Sequence, residues 1–244
     1  KNLWLIEDNC DALGSTYNGK YTGTFGDIST LSFYPAHHIT MGEGGAVMTN
    51  STRLQLSIDS FRDWGRDCWC KSGHDNTCNK RFDWSLGELP YGYDHKYTYS
   101  NIGYNLKLTD LQASIGVIQM DKLENFIDAR RKNWKKIDSI VRNYPNYLSP
   151  HQPVENSEPS WFGYAILVKD NKNFSRDDFV KFLNERRIST RLLFGGNLIK
   201  QPAYEGKNYR VVGSLDNADI VMNSTFWIGV YPGITDDMIS YISE

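Results

Sequence analysis

Four cysteines, two adjacent histidines and a carboxylate at the end of an apolar run are the residues of this chain best suited to chemistry. Cys10 stands alone, while Cys68, Cys70 and Cys78 fall close together. Thiolates so closely spaced converge readily on one centre, so metal binding is one reading and unrelated buried thiols are another. Cys68 and Cys70 flank Trp69, which is poor geometry for a bond to each other. Four cysteines in 244 residues do not make a disulfide scaffold.

Asp8 follows the apolar run Leu3–Ile6, which reads as a buried strand. Open α/β sheets place ligands at the C-terminal ends of their strands. A carboxylate there can hold a ring nitrogen protonated, or simply cap a helix or face solvent. Ser32-Phe33-Tyr34-Pro35-Ala36-His37-His38 follows a second apolar run, and Gly42-Glu43-Gly44-Gly45 comes next. Glycines permit tight turns near a bound group. Imidazole titrates near neutrality, so either histidine can shuttle a proton or remain a solvated loop residue.

The elements that must position these residues follow from pattern. Leu3–Ile6, Ile28–Phe33 and Ala46–Thr49 read as strands of an α/β domain, with a helix from Thr52 to Arg62. Residues 63–100 hold Trp64, Trp69, Trp84, four tyrosines and three of the cysteines. This is expected to be a long ordered loop held by aromatic packing, a bound centre or both. Thr109 with Gln112 is a helix start, and Leu111, Ile115, Ile118 and Leu123 form an apolar face. A second helical pattern runs over about 124–144. Trp161–Val168 and Phe226–Val230 read as strands around a helix that Ser175 and Asp178 cap. The expected division is a large sheet domain over 1–128 and a small α+β domain over 129–244.

Hydrophobic residues make up 40% and charged residues 23%, with a net charge of −2. Those values exclude a wholly disordered chain and give no electrostatic footprint for nucleic acid. No apolar run reaches transmembrane length. The chain opens mid-strand without Met or a signal core, as expected of the C-terminal part of a longer protein.

Several blocks carry a family resemblance. They are Ile6-Glu7-Asp8, the Gly-rich passage to Gly26-Asp27, Ser32-Phe33 with Gly42-Glu43-Gly44-Gly45, and Gly103-Tyr104-Asn105-Leu106-Lys107-Leu108-Thr109-Asp110-Leu111-Gln112-Ala113. In this order they resemble the DegT/DnrJ/EryC1/StrS sugar aminotransferases, vitamin B6-dependent proteins of fold type I. The resemblance spans essentially the whole chain. It implies that the chain holds the C-terminal part of the large domain and the small domain. The turn gripping the cofactor phosphate and the aromatic residue stacking on its ring would lie outside it.

One departure refines the resemblance. At the position of His37 the family's aminotransferases carry the lysine that bonds pyridoxal phosphate, and histidine has no primary amine for that bond. The change resembles the family's sugar 3-dehydrases, which use pyridoxamine 5′-phosphate and a histidine base. Their GDP-sugar branch has no iron centre, whereas their CDP-sugar branch carries a [2Fe–2S] cluster. The spacing C-x57-C-x-C-x7-C matches the cluster ligands of the latter. It also departs from the common ferredoxin spacings. Zinc is the alternative metal.

The resemblance thus implies C3 dehydration of CDP-4-keto-6-deoxyglucose, on the route to the 3,6-dideoxyhexoses of lipopolysaccharide O-antigen. It further implies a cytoplasmic homodimer whose cluster is fed by a NADH-dependent flavin/iron–sulfur reductase. His37 would be the catalytic base and Asp8 would bond the pyridinium nitrogen. Ser32 would touch the cofactor phosphate, and Asn105 the phosphate of the neighbouring subunit. Cys10, Cys68, Cys70 and Cys78 would hold the cluster. Tyr34 and His38 are read as packing residues, and Glu43 as orienting His37 or holding the turn. Arg191, Phe194, Gly195, Gly196 and Asn197 are candidate sugar-nucleotide contacts. The alternatives are a pyridoxal-phosphate aminotransferase, a cluster-free GDP-sugar 3-dehydratase, a zinc module and a relative that is no enzyme.

Overall fold

The structure is a computed structural model that describes residues 3–71 and 73–244. In chain order its strands and helices are β1 (Ile6–Asp8), β2 (Thr16–Tyr17), β3 (Lys20–Tyr21), β4 (Ile28–Ser32), β5 (Gly45–Met48), α1 (Thr52–Arg62), α2 (Asp110–Met120), α3 (Leu123–Val141), β6 (Leu148–Pro150), β7 (Ser157–Glu158), β8 (Gly163–Val168), α4 (Arg176–Glu185), β9 (Thr190–Leu192), α5 (Asp216–Ser224), β10 (Thr225–Gly229) and α6 (Asp236–Ser243). They fall into two compact units. The first takes the residues up to Cys10 and Gly23–Met120; the second takes Asp11–Thr22 and Asp121–Glu244. Among the described residues no helix is long and apolar enough to cross a membrane.

In the first unit β1 runs parallel to β4, and β4 pairs antiparallel with β5. The first strand lies later than the apolar run suggested, because its ladder starts at Ile6↔Ile28 and ends at Asp8↔Thr30. Asp8 is therefore the last rung, set beside Thr30. Leu3 to Ile6, expected to be buried, are exposed, since β1 is an edge strand of a three-stranded sheet. The helix over Thr52–Arg62 forms as expected, with the Ser51 hydroxyl accepting from the Leu54 N–H. At α2, the Thr109 hydroxyl accepts from the Gln112 N–H while the Gln112 carbonyl accepts from the Thr109 N–H. That is a reciprocal cap. Of the expected apolar face, Leu111, Ile115 and Ile118 on α2 are exposed, Leu111 at 80%, whereas Leu123 is buried at the start of α3. α2 instead buries Gly116, where an added Cβ would lie 2.9 Å from Met41 Cγ.

Among the described residues, 63–100 contain a single 3₁₀ turn at His95–Tyr97 and otherwise form the long loop that the composition suggested. Backbone contacts close its base. Gly65 accepts from the N–H groups of Ser100 and Asn101, and Trp64 N–H donates to Tyr104. Gly65 has φ of +85°, and a Cβ there would fall 1.8 Å from the Asn101 carbonyl oxygen. Only glycine fits that approach.

The second unit owns a closed core. β6, β8, β10 and β9 form an antiparallel sheet in that order. Alternation along β8 buries Tyr164, Ile166 and Val168, and β10 adds Phe226 and Ile228. Trp134, Ile137 and Val141 of α3 meet that face at helical spacing, and Trp134 stacks on Trp161 at 4.3 Å. α4 carries the expected capping box between Ser175 and Asp178. Residues 11–22 belong here because β2 pairs with both β3 and β7.

Candidate active site

The exit of β1 gathers three of the expected residues. The Asp8 carboxylate accepts from the Thr30 hydroxyl at 3.1 Å and lies 3.4 Å from the Cys10 N–H. Donation from the Cys10 thiol, its N–H and the Thr30 hydroxyl holds the Asp8 carboxyl below the usual carboxylate range. The side chain is exposed, so it is a ready anion at a strand exit. Across the same turn, His37 Nδ1 lies 2.8 Å from the Cys10 carbonyl oxygen. A carbonyl only accepts, so Nδ1 donates and Nε2 is the basic nitrogen of the neutral ring.

His37 is held there by its own loop. Its N–H donates to Tyr34 O, and the N–H of Met41 returns to Phe33 O. Tyr34 is half exposed and meets the His37 ring edge-on at 6.1 Å. Ser32 ends β4, and its hydroxyl lies 3.4 Å from the Tyr34 N–H. His38 is buried, 3% exposed. The Gly42–Gly45 turn is pinned by α2, because the Gln112 amide donates to the Glu43 carbonyl at 3.1 Å. The Glu43 side chain itself is exposed.

The cysteines divide. Cys68, Cys70 and Cys78 line one small cavity together with Asp75, Asn76, Arg81, His95 and Lys96. Cys10 is not among those residues and keeps company with Asp8 instead. No disulfide joins the four. Burial pushes the Cys68 thiol up, whereas hydrogen bonding from Thr77 brings the Cys70 thiol down. Of these two, Cys70 is the readier to ionise. Among the described residues no group of three or more His, Cys, Asp or Glu is gathered to hold a metal ion. The donor chemistry of the cavity suits soft iron or zinc, but the positions are not those of a closed site.

Charged pairs stitch the wall of this cavity. The Arg81 guanidinium grips Asp94 at 2.9 and 2.7 Å, and Lys96 meets Asp75. Asn105 bridges to Asp63, and its Oδ1 accepts from Lys107 Nζ at 3.0 Å. In the second unit, Arg191 sits on β9 and Phe194 and Gly196 adopt positive φ. Asn197 is buried with its amide on Asp219 at 2.8 Å.

Two positioning residues escaped the sequence reading. Glu7 accepts from the N–H groups of Gly23, Phe25 and Gly26 at 2.6–2.7 Å and so clamps the Gly-rich passage to β1. An acid next to Asp8, followed by clustered glycines with free N–H groups, was its only signal. Asp67, bonded to His95 Nε2 at 2.5 Å, had none.

Known proteins resemble the chain closely. The model of the DegT/DnrJ/EryC1/StrS aminotransferase family matches residues 1–244. The chain is 56% identical over 241 residues to the lipopolysaccharide biosynthesis protein RfbH of Salmonella typhimurium, a match covering 99% of the chain and 55% of that protein. It is 57% identical over 242 residues to the dTDP-4-dehydro-2,6-dideoxy-D-glucose 3-dehydratase of Saccharopolyspora spinosa, covering 99% and 52%. The structure is similar to that of E. coli GDP-4-keto-6-deoxy-D-mannose-3-dehydratase with bound hydrated PLP. There the TM-score is 0.83 at 28% identity, over 100% of this chain and 60% of the other. The chain spans about half the length of the curated relatives it matches. With the PLP-dependent aminotransferase-like fold and the matched motifs in hand, the chain belongs to the DegT/DnrJ/EryC1/StrS aminotransferase family.

Proposed function

We propose that this protein is a pyridoxamine-phosphate-dependent 3-dehydratase of a nucleotide-linked 4-keto-6-deoxy sugar, with CDP-4-keto-6-deoxyglucose as its substrate. The observation that carries the reading is His37: a basic imidazole nitrogen, fixed by the Cys10 carbonyl, one turn from the Asp8 carboxylate. A lysine in that place would favour transamination.

The residues fit the cofactor. Pyridoxamine phosphate, when bound, supplies an amine for the sugar ketone and an electron sink for loss of the C3 hydroxyl. Asp8, held below the usual carboxylate range, would accept the pyridinium N–H and keep the ring protonated. His37, with Nδ1 on the Cys10 carbonyl, would offer Nε2 as the general base toward the cofactor's C4′ proton. The Ser32 hydroxyl would hold the phosphate, and Asn105 would reach the phosphate site of a second subunit in a homodimer.

Cys10, Cys68, Cys70 and Cys78 are proposed to hold a [2Fe–2S] cluster, which takes four thiolates and passes single electrons. A NADH-dependent flavin/iron–sulfur reductase would supply them. The three-thiol cavity supports this reading, and holding a cluster requires Cys10 to join it. A cytoplasmic place in O-antigen sugar synthesis goes with the similarity to RfbH. A cluster-free 3-dehydratase is the second reading, favoured by the likeness to the GDP-sugar enzyme and by the absence of a closed metal group among the described residues.

The test is incubation with pyridoxamine phosphate and the CDP-keto sugar in deuterated water, alongside iron and sulfide analysis. Solvent exchange at C4′ with loss of the C3 hydroxyl is expected, and about two irons per chain. An amino sugar as the product would overturn the dehydratase reading. Stoichiometric zinc without iron after anaerobic preparation would overturn the cluster.

A further inference from the structure

α2 covers one narrow stripe of its surface and leaves the rest exposed. Along Asp110–Met120 the covered residues are Gln112, Ala113, Gly116 and Gln119. Gln112, Gly116 and Gln119 recur at i, i+4 and i+7, which is one helix face. All three meet the loop that carries His37. The Gln112 amide donates to the Glu43 carbonyl at 3.1 Å, and the Gln119 carbonyl accepts from the Thr40 N–H at 3.4 Å. Between them Gly116 leaves room for the Met41 side chain. The neck of the loop is closed by the Met41 N–H on Phe33 O and the Phe33 N–H on Gly44 O. The Cys10 carbonyl fixes His37 at Nδ1. Where Nε2 then points depends on the backbone that carries the ring.

We propose that Gln112 and Gln119 are positioning residues for His37, setting the backbone over 40–43 so that Nε2 faces the proton it takes. The inference rests on the reading of His37 as the general base. The two side chains act through different atoms. Gln112 donates from its amide, while its carbonyl accepts from the Thr109 N–H and hydroxyl. Gln119 uses its carbonyl, accepting from Thr40. An ionised glutamate keeps the shape and the acceptor but has no N–H to give. Glutamate therefore breaks the hold at Gln112 and keeps it at Gln119. Side chains that merely fill space would show no such difference.

The test uses the full chain and its Gln112→Glu, Gln119→Leu and Gln119→Glu variants, with Ser114→Ala on the exposed face of α2 as control. Without cofactor, NMR follows the exchange of the His37 Nδ1–H and of the Thr40 amide with water. With pyridoxamine phosphate and the CDP-keto sugar, C4′ exchange is measured against sugar concentration. Gln112→Glu and Gln119→Leu are expected to speed exchange at Nδ1–H. They should also lower the limiting C4′ rate roughly tenfold at unchanged half-saturation, below the about 10²-fold that a 1 Å misplacement can cost. Gln119→Glu should restore what Gln119→Leu loses. Wild-type behaviour of Gln112→Glu would overturn the proposal, as would equal losses in the two Gln119 variants. A loosened loop at the wild-type C4′ rate would make the glutamines structural only and overturn it too. Should Gln112→Glu fail to fold, the Gln119 pair decides. Wild-type protein without C4′ exchange overturns the base reading itself, and this inference with it.

Discussion

The exit of β1 and the loop over 63–107 carry the two parts of the candidate site, and they are built on different physics. Asp8 and His37 are placed by backbone. One ends a parallel ladder at Asp8↔Thr30, and the other hangs from the Cys10 carbonyl. The thiol cavity lies in a loop whose base is closed by backbone contacts and by two isolated bridges, Asp63↔Asn105 and Arg66↔Tyr99. It is placed by an ion-pair network around Arg81, by the Trp69–His95–Trp84 cluster and by a glycine closure at Gly65. A site set by backbone fixes a proton-transfer geometry firmly. A loop closed at its base and held above it by side chains yields more easily, as the proposed closing of the thiols around a group would require.

Substitutions can break that contrast, and the largest effect is expected at the backbone-held end. His37→Asn removes the basic nitrogen while leaving the turn, so C4′ exchange should fall by about 10²–10⁴. Exchange at the wild-type rate would move the base elsewhere, with His38 the first place to look. Gly65→Ala should come next. It forces a Cβ onto the Asn101 carbonyl from a left-handed backbone, which costs at least about 1–2 kcal/mol before the collision is counted. Hydrogen exchange should then speed up at the Ser100, Asn101 and Tyr104 amides while the β1–β4 ladder keeps its protection. Equal loss in both regions would mean that they are one cooperative piece.

Acid sharpens the comparison further. Arg81 and Lys96 hold the Asp94 and Asp75 carboxyls below their usual range. Pairs of this kind stabilise above the ordinary carboxylate pKa and lose that contribution as the pH falls through the depressed values. The loop over 75–96 should therefore loosen in acid before the β4–β5 ladder does, and Arg81→Met should reproduce the loosening at neutral pH. Amide exchange across that loop is the readout, and unchanged protection in Arg81→Met would show that the aromatic cluster suffices alone. Thr30→Val should have the smallest effect. It deletes one donor to Asp8, so the Asp8 titration seen by NMR should rise toward the ordinary value without reaching it, because Cys10 still donates.

Much of this was legible in the residues. The Thr109 and Ser175 caps, the Thr52–Arg62 helix and the strand over 161–168 are local signals, set by residues close together in the chain. The resemblance carried the family and the fold because its motifs keep their order along the chain. The apolar face of α2 misled, since periodicity records which face is greasy and not what lies against it. The first strand was placed early for a related reason: pairing with β4, not hydropathy, decides where a ladder starts.

What the sequence determined by itself, then, was composition and local form: the His37-His38 pair before a glycine-rich turn, the thiol spacing, the Thr109 and Ser175 caps and the order of the family motifs. Only the tertiary structure decided that Glu7 clamps the glycine turn and that Cys10 sits with Asp8 and His37. The same holds for Asp67, which lies 28 residues before the His95 ring that it holds. Such partners are chosen by chain closure over long separations, where no periodicity or cap links the two residues.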